Sequence, residues 1–234
     1  EPITMEKEST QAEVKARRQE RAQAKSLVRP APSRDPFDQC NFTTREGLQV
    51  SWKYGNIAQE RAAVLVSSAD HDLTNPTVVG RVINSVGGPS FVAACCQHTN
   101  IGTGDIATTI GGNLLCQYVI HAVCCDWNSN GLAEQTLRRL LLKILLECSR
   151  LSATSVAMPL IGTGKRGFRE DLVLRVMREE FERFSSMYPS RTLKEIRLIR
   201  YDPSGRQTTV QAQPVSTPAS NASSNQFVRL VAGT

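Results

Sequence analysis

The stretch Ser155–Phe168, SVAMPLIGTGKRGF, decides how the rest of the chain is read. Its first six residues, Ser155 to Leu160, form a short apolar run of strand length that ends at a turn signal. Glycines follow at 162, 164 and 167, and an amphipathic helical pattern takes over from about residue 170. Strand, glycine loop and helix in that order place the loop at the carboxyl end of a strand, where open α/β sheets bind ligands. Without Cβ atoms the backbone can turn sharply and approach a phosphate, and consecutive N–H groups can point inward as an anion nest. Thr163 is expected to add a hydroxyl donor. Taken alone, the loop fits a plain structural turn as well as a phosphate site. Two better-known phosphate patterns fit poorly. A dinucleotide fingerprint belongs to a first βα unit with an acid at a later strand end, whereas here Glu180 and Glu182 fall within a helical pattern. The Walker motif needs Ser or Thr after its lysine, and Lys165 is followed by Arg166.

Outward from the loop, the apolar pattern alternates strand-like and helical runs with no internal repeat. Strands are expected at Leu48–Tyr54, Ala63–Ser67, Ile106–Ile110, Tyr118–Val123, Ser155–Leu160 and Leu193–Tyr201. Helices are expected at Val78–Ser85, Phe91–His98, Ala133–Leu151 and Asp171–Ser186. In the third of these, Leu137, Leu140, Leu141, Ile144, Leu145 and Cys148 fall at i, i+3, i+4 spacing and mark one broad buried face. A run as continuously apolar as Tyr118–Val123 implies a sheet covered on both sides. The expected fold is α/β: a three-layer α-β-α sandwich around a central mixed sheet.

The 234 residues allow one sizeable core with tails. Residues 1–36 read as a charged linker, a solvated helix or a disordered segment ended by three prolines between Arg29 and Pro36; residues 37–203 read as the domain. Residues 204–234 read as a Ser/Thr/Gln-rich tail without the burial to offset its ordering entropy, whose apolar run Phe227–Val231 either docks or begins another linker. Most of the net charge of +6 sits in the tails: residues 35–203 hold 18 basic and 17 acidic side chains. Nucleic-acid binding is therefore not expected of the folded part, though the basic tails could supply it. Seven cysteines, two pairs of them adjacent in sequence, argue against a disulfide framework and give no zinc spacing; with three scattered histidines, no metal is expected. No uninterrupted apolar run reaches membrane-spanning length, and no membrane partner is expected. A first residue that is not Met suggests a piece of a longer chain.

The order of segments around the glycine loop resembles that of macrodomains, the ADP-ribose-binding family. SVAMPLIGTGKRGF resembles the family's second ligand loop, with an aromatic after its last glycine. GDIATTIGGNLLCQYVIHAV resembles its strand, turn and buried strand, KYGNIAQERAAVLVSSADHDL its opening, and VGRVINSVGGP its first helix. The resemblance spans about residues 48–202, and its look is nearest the macrodomains of large multidomain mono-ADP-ribosyltransferases. It implies ADP-ribose as ligand with no further cofactor, ADP-ribosylated proteins as partners, a cytoplasmic or nuclear setting, and a parent chain that is itself an ADP-ribosyltransferase.

Carried onto this sequence, the resemblance gives Ile161, Gly162, Thr163, Gly164, Lys165, Arg166 and Gly167 to the diphosphate and Phe168 to the distal ribose. Tyr201 would stack on adenine, as a ring face can. Core or rim packing is the other reading of Phe168 and Tyr201. Asn56 and Ile57 stand where many members have Asp-Ile at the adenine; an Asn amide oxygen still accepts a hydrogen bond but without charge assistance. The family's N-A-A-N is here Ser67-Ser68-Ala69-Asp70. Asp70 is the one catalytic candidate; it would orient water or accept from a ribose hydroxyl, or simply cap a turn. Where hydrolytic members carry a glycine run, this chain has Asn75, Pro76, Thr77, Val78 and Val79, so Val78 and Val79 are assigned to a first loop of another shape. These departures favour a non-catalytic reader of ADP-ribose. The alternatives are an ester-cleaving mono-ADP-ribosyl hydrolase and a degenerate domain serving as an interaction scaffold.

Overall fold

The computed structural model describes residues 37, 40–74, 76–129 and 131–201. The two expected tails, Phe227–Val231 included, lie outside them. Seven strands form one sheet: β1 (Phe42–Thr43), β2 (Gln49–Tyr54), β3 (Val64–Ala69), β4 (Ile106–Ile110), β5 (Tyr118–Val123), β6 (Ser155–Pro159) and β7 (Glu195–Arg200). Their order is β1-β2-β7-β6-β3-β5-β4. The five inner strands run parallel, and the edge strands β1 and β4 pair antiparallel with β2 and β5. Among the described residues, three α-helices cover the sheet: α1 (Val78–Cys95), α2 (Ala133–Arg150) and α3 (Glu170–Met187).

Alternation within the inner strands divides the core into two layers. Val64, Val66, Ile120, Ala122, Val156, Met158, Ile196 and Leu198 pack with Leu137, Leu141 and Ile144 of α2 and Val173, Met177 and Phe181 of α3. Leu65, Val119, Val123, Ala157 and Ile199 pack on the opposite face with Ile83, Phe91 and Cys95 of α1 and with a 3-10 turn at Ile57–Gln59. A parallel sheet needs both faces covered, which is why these strands are apolar almost throughout. The result is the expected α-β-α sandwich with a mixed sheet.

The expected strands and the two later helices recur with ends moved by one or two residues, while β1 was too short to stand out in the sequence. The two helices expected at Val78–Ser85 and Phe91–His98 form one run broken at Gly88, whose φ of 76° and ψ of −177° are not helical. A Cβ at Gly88 would lie 2.5 Å from the Asn113 amide nitrogen, so close approach as well as the left-handed φ requires glycine there. The same run corrects the expectation about apolar length: Val78–Cys95 has the length and mean hydropathy, 1.2, of a membrane-crossing helix. Here its Ile83, Phe91 and Cys95 pack onto the sheet.

His121 on β5 is buried beneath α1, with Nε2 3.0 Å from the Thr109 hydroxyl and its ring stacked on Phe91 at 5.9 Å. Burial pushes this imidazole down to about 4, and the charge of His98 adds to the effect. A histidine lowered in the fold is neutral there while the unfolded chain still takes a proton near 6.5. Its contribution to stability is thus complete above that value and is lost as pH falls towards 4. Urea denaturation at pH 7.5 and 4.5 should show His121→Gln losing about 2 kcal/mol less than the parent over that interval.

Candidate functional site

The carboxyl ends of β7, β6, β3 and β5 lie along one edge of the sheet, and a cleft of about 740 Å³ opens there. Its walls are the glycine loop after β6, the exit of β3 at Ser68–Asp70, the first turn of α1, and Ile199–Tyr201 after β7. The volume falls in the range of small-molecule sites.

Packing inside the molecule holds the glycine loop in shape. Gly162 has φ 87°, and a Cβ there would lie 2.9 Å from the ring of Phe168. Phe168 N–H donates to Gly162 O at 3.1 Å, and Gly167 N–H to Gly164 O at 3.1 Å. Phe168 is 3% exposed and meets Trp127 edge-on at 5.3 Å, while Trp127 N–H donates to Arg166 O at 2.8 Å. The Thr163 hydroxyl donates to Leu160 O at 2.9 Å, so its hydrogen serves the loop and not the cleft. The amides of Gly162, Gly164, Lys165 and Arg166 donate to no partner among the described residues, and all four residues line the cleft.

Across the cleft, Thr77 caps α1. Its hydroxyl accepts from Gly80 N–H at 3.1 Å and donates to Ser68 O at 2.5 Å. The first loop thus ends one residue after Pro76 in a helix N-terminus. The Val78 and Val79 amides also donate to no described partner, and both residues line the cleft. Six amides with no partner among the described residues, two of them at the positive end of an 18-residue helix, therefore belong to residues that line one cavity.

The charged groups of the cleft are mostly paired. Asp70 Oδ1 accepts from Arg166 Nη2, and Arg166 Nη1 meets Asp126 at 3.1 Å. Arg200 pairs with Glu170 at 3.0 Å and donates to Tyr54 OH at 3.1 Å. Both carboxylates lining the cleft, Asp70 and Glu170, are thereby held by guanidinium groups. Arg81 and Lys165 add positive charge. Cys124 reaches the wall, but burial, reinforced by neighbouring Cys125, pushes its thiol up to about 12 and keeps it protonated. The arrangement can hold an anion, and each of the two carboxylates lining it has an oxygen engaged by an arginine.

Of the residues expected at the site, Asp70, Val78, Val79, Gly162, Thr163, Gly164, Lys165, Arg166 and Tyr201 come together around the cleft. Tyr201 is 66% exposed at its rim. Asn56, Ile57, Ile161, Gly167 and Phe168 do not line it. Asn56 Oδ1 accepts from Ala58 N–H at 3.0 Å and caps the 3-10 turn, and Ile57, Ile161 and Phe168 are core side chains. Sequence reasoning missed Ser68, Thr77, Arg81, Cys124, Pro159, Glu170, Ile199 and Arg200. For Thr77 a signal existed, since a threonine directly before an apolar helical run is a capping position. Trp127 and Asp126, which support the loop from outside, carried no local signal.

A fold and cleft of this kind define a class: α/β sandwiches that bind a ligand at the carboxyl edge of a mostly parallel sheet. Residues 66–177 match the Macro domain family model, and the folded part of this chain is a macrodomain. Human protein mono-ADP-ribosyltransferase PARP14 is 24% identical over 173 residues, covering 72% of this chain and 10% of PARP14. An uncharacterised protein of Thermotoga maritima is 26% identical over 162 residues, 67% of this chain and 27% of its own length. The chain thus spans a minor part of either relative. Among solved structures, the Trypanosoma brucei macrodomain in complex with ADP-ribose superposes with a TM-score of 0.58 at 20% identity, covering 64% of this chain and 62% of that one.

The glycines of the loop should separate in their effect on folding. Gly164 has open space around it, whereas a side chain at Gly162 meets Phe168 and an unfavourable φ. In urea denaturation, Gly162→Ala should lose about 1–3 kcal/mol and Gly164→Ala should stay within about 0.5 kcal/mol of the parent.

Proposed function

We propose that this domain binds ADP-ribose, free or attached to proteins, and acts as a non-catalytic reader of the modification. The observation that carries the reading is the set of six amides with no partner among the described residues, on two loops that line one cavity, with an exposed tyrosine at its rim. Backbone N–H groups and a helix N-terminus suit a diphosphate, and the Tyr201 ring offers a face to a purine. The Trypanosoma brucei neighbour, in complex with ADP-ribose, supports the choice of ligand.

The non-catalytic part of the reading is supported by the pairing of both cleft carboxylates with arginines. Asp70, the candidate for orienting water, holds Arg166 instead. In this reading the domain brings its parent chain to ADP-ribosylated proteins in the cytoplasm or nucleus, where the seven free cysteines stay reduced. The name of PARP14 supports a parent that is itself an ADP-ribosyltransferase.

Calorimetry should give micromolar binding of ADP-ribose to the parent protein, and Gly164→Val, which puts a branched side chain into the cleft wall, should abolish the heat while leaving the fold intact. An absence of heat with the parent protein would favour the scaffold role. Incubation with an automodified transferase should release no ADP-ribose; release that Asp70→Ala abolishes would establish the hydrolase instead.

A further inference from the structure

β4 closes one side of the sheet, and its sequence does nothing to protect that edge. Native edge strands are kept from pairing with other chains by shortness, proline, charge or a bulge. β1, at the opposite edge, has two residues. β4 has five, Ile106-Ala107-Thr108-Thr109-Ile110, with no proline, glycine or charge among them. A groove of about 500 Å³ follows the strand, lined by Ile106, Ala107 and Thr108 together with His98, Glu147 and Arg150.

The register with β5 fixes which backbone groups face outward. Val123 N–H donates to Asp105 O at 3.0 Å, and Gly111 N–H to Gln117 O at 2.8 Å. Along an antiparallel strand the direction of N–H and C=O alternates. Asp105, Ala107, Thr109 and Gly111 therefore turn theirs towards β5, while Ile106, Thr108 and Ile110 turn theirs away from the sheet. The side chains of the same three residues lie on the α2 face. Ile106 packs against the core layer beneath α2, and the Thr108 hydroxyl donates to Glu147 Oε1 at 2.6 Å. Ile110, next on that face, is 50% exposed.

We infer that β4 is a self-association edge, at which two copies of the chain pair antiparallel about a two-fold axis at Thr108. The strand is close to a palindrome about that residue, so the pairing sets Ile106 of each copy against Ile110 of the other. In this register all three outward residues exchange backbone hydrogen bonds, and each exposed Ile110 gains an apolar neighbour on its own face. Charge does not oppose the approach. On the α2 side Lys143 is paired with Asp105, and Arg150 Nε with Glu147 at 2.7 Å; Leu146 beside them is 38% exposed. The two seven-stranded sheets run on as one, and because the joining strands are antiparallel the two clefts open at opposite ends. A five-residue ladder is a small contact, so the dimer dissociates readily.

Sedimentation equilibrium of the chain from about 5 to about 500 µM should show monomer passing to dimer with no larger species, as a closed two-fold contact requires. Ile110→Lys sets a charge on the edge and should weaken the dimer at least about tenfold, with the urea midpoint of the fold unchanged. Met187→Lys makes the same kind of change at a residue 52% exposed at the end of α3, and should leave the dimer as it is. Thr108→Cys reads the register without added charge. Residues paired across such a ladder stand about 5.5 Å apart at Cα, within disulfide reach. Oxidation with copper–phenanthroline should therefore trap Thr108→Cys as a disulfide dimer, and should not trap the unmutated chain, whose Cys96 is exposed. A chain that stays monomeric to about 500 µM overturns the inference. So does a dimer that Ile110→Lys leaves unmoved, that Met187→Lys weakens equally, or that Thr108→Cys does not trap. Should the lysine at 110 unfold the chain, the trapping result decides.

Discussion

Parallel pairing of β6 with β7 on one side and β3 on the other sets where every wall of the cleft begins. Parallel strands finish along the same edge, and each must there hand the chain to a crossover on one face or the other. The polar backbone that leaves four such strands side by side cannot be buried without partners, so it gathers around a shared depression. Leu65, Ala157 and Ile199, buried on one face, and Val66, Met158 and Leu198 on the other, hold those strand ends at fixed spacing. The loops can then differ in sequence without moving the cleft.

That division explains what could be read from the chain and what could not. The inner strands and the faces of α2 and α3 were legible because burial on a regular element repeats with the period of the element. The break at Gly88 was visible only as a gap between two helical patterns; that the chain continues through it depends on Asn113 pressing on a residue without a side chain. At the site, the glycine loop was legible for the same local reason, since φ values of 87° and 76° at Gly162 and Gly167 call for glycine whatever lies beyond. Asn56 does not line the cleft, and its side chain accepts two residues along its own backbone. Asp70, Asp126 and Arg166 are separated by tens of residues, and no spacing rule announces an ion pair made by topology.

Electrostatically the site works through backbone more than through side chains. Amides from the loop and from the first turn of α1 supply partial positive charge that has no pH dependence in the ordinary range, and the helix adds to it. Of the side-chain cations lining the cleft, Arg166 and Arg200 are matched by carboxylates, while Arg81 and Lys165 add positive charge. A cleft of this kind attracts an anion only at short range and only in the orientation the amides allow.

Phe168, packed into the space that a Cβ on Gly162 would occupy and backed by Trp127, has one consequence beyond the loop's shape. The donors are aimed before any ligand arrives, so association need not order the backbone that receives it. Preorganisation of this sort lowers the entropic cost of binding. Differences in affinity between ligands then reflect the contacts each one makes, and the loop serves as a rigid gauge of what enters.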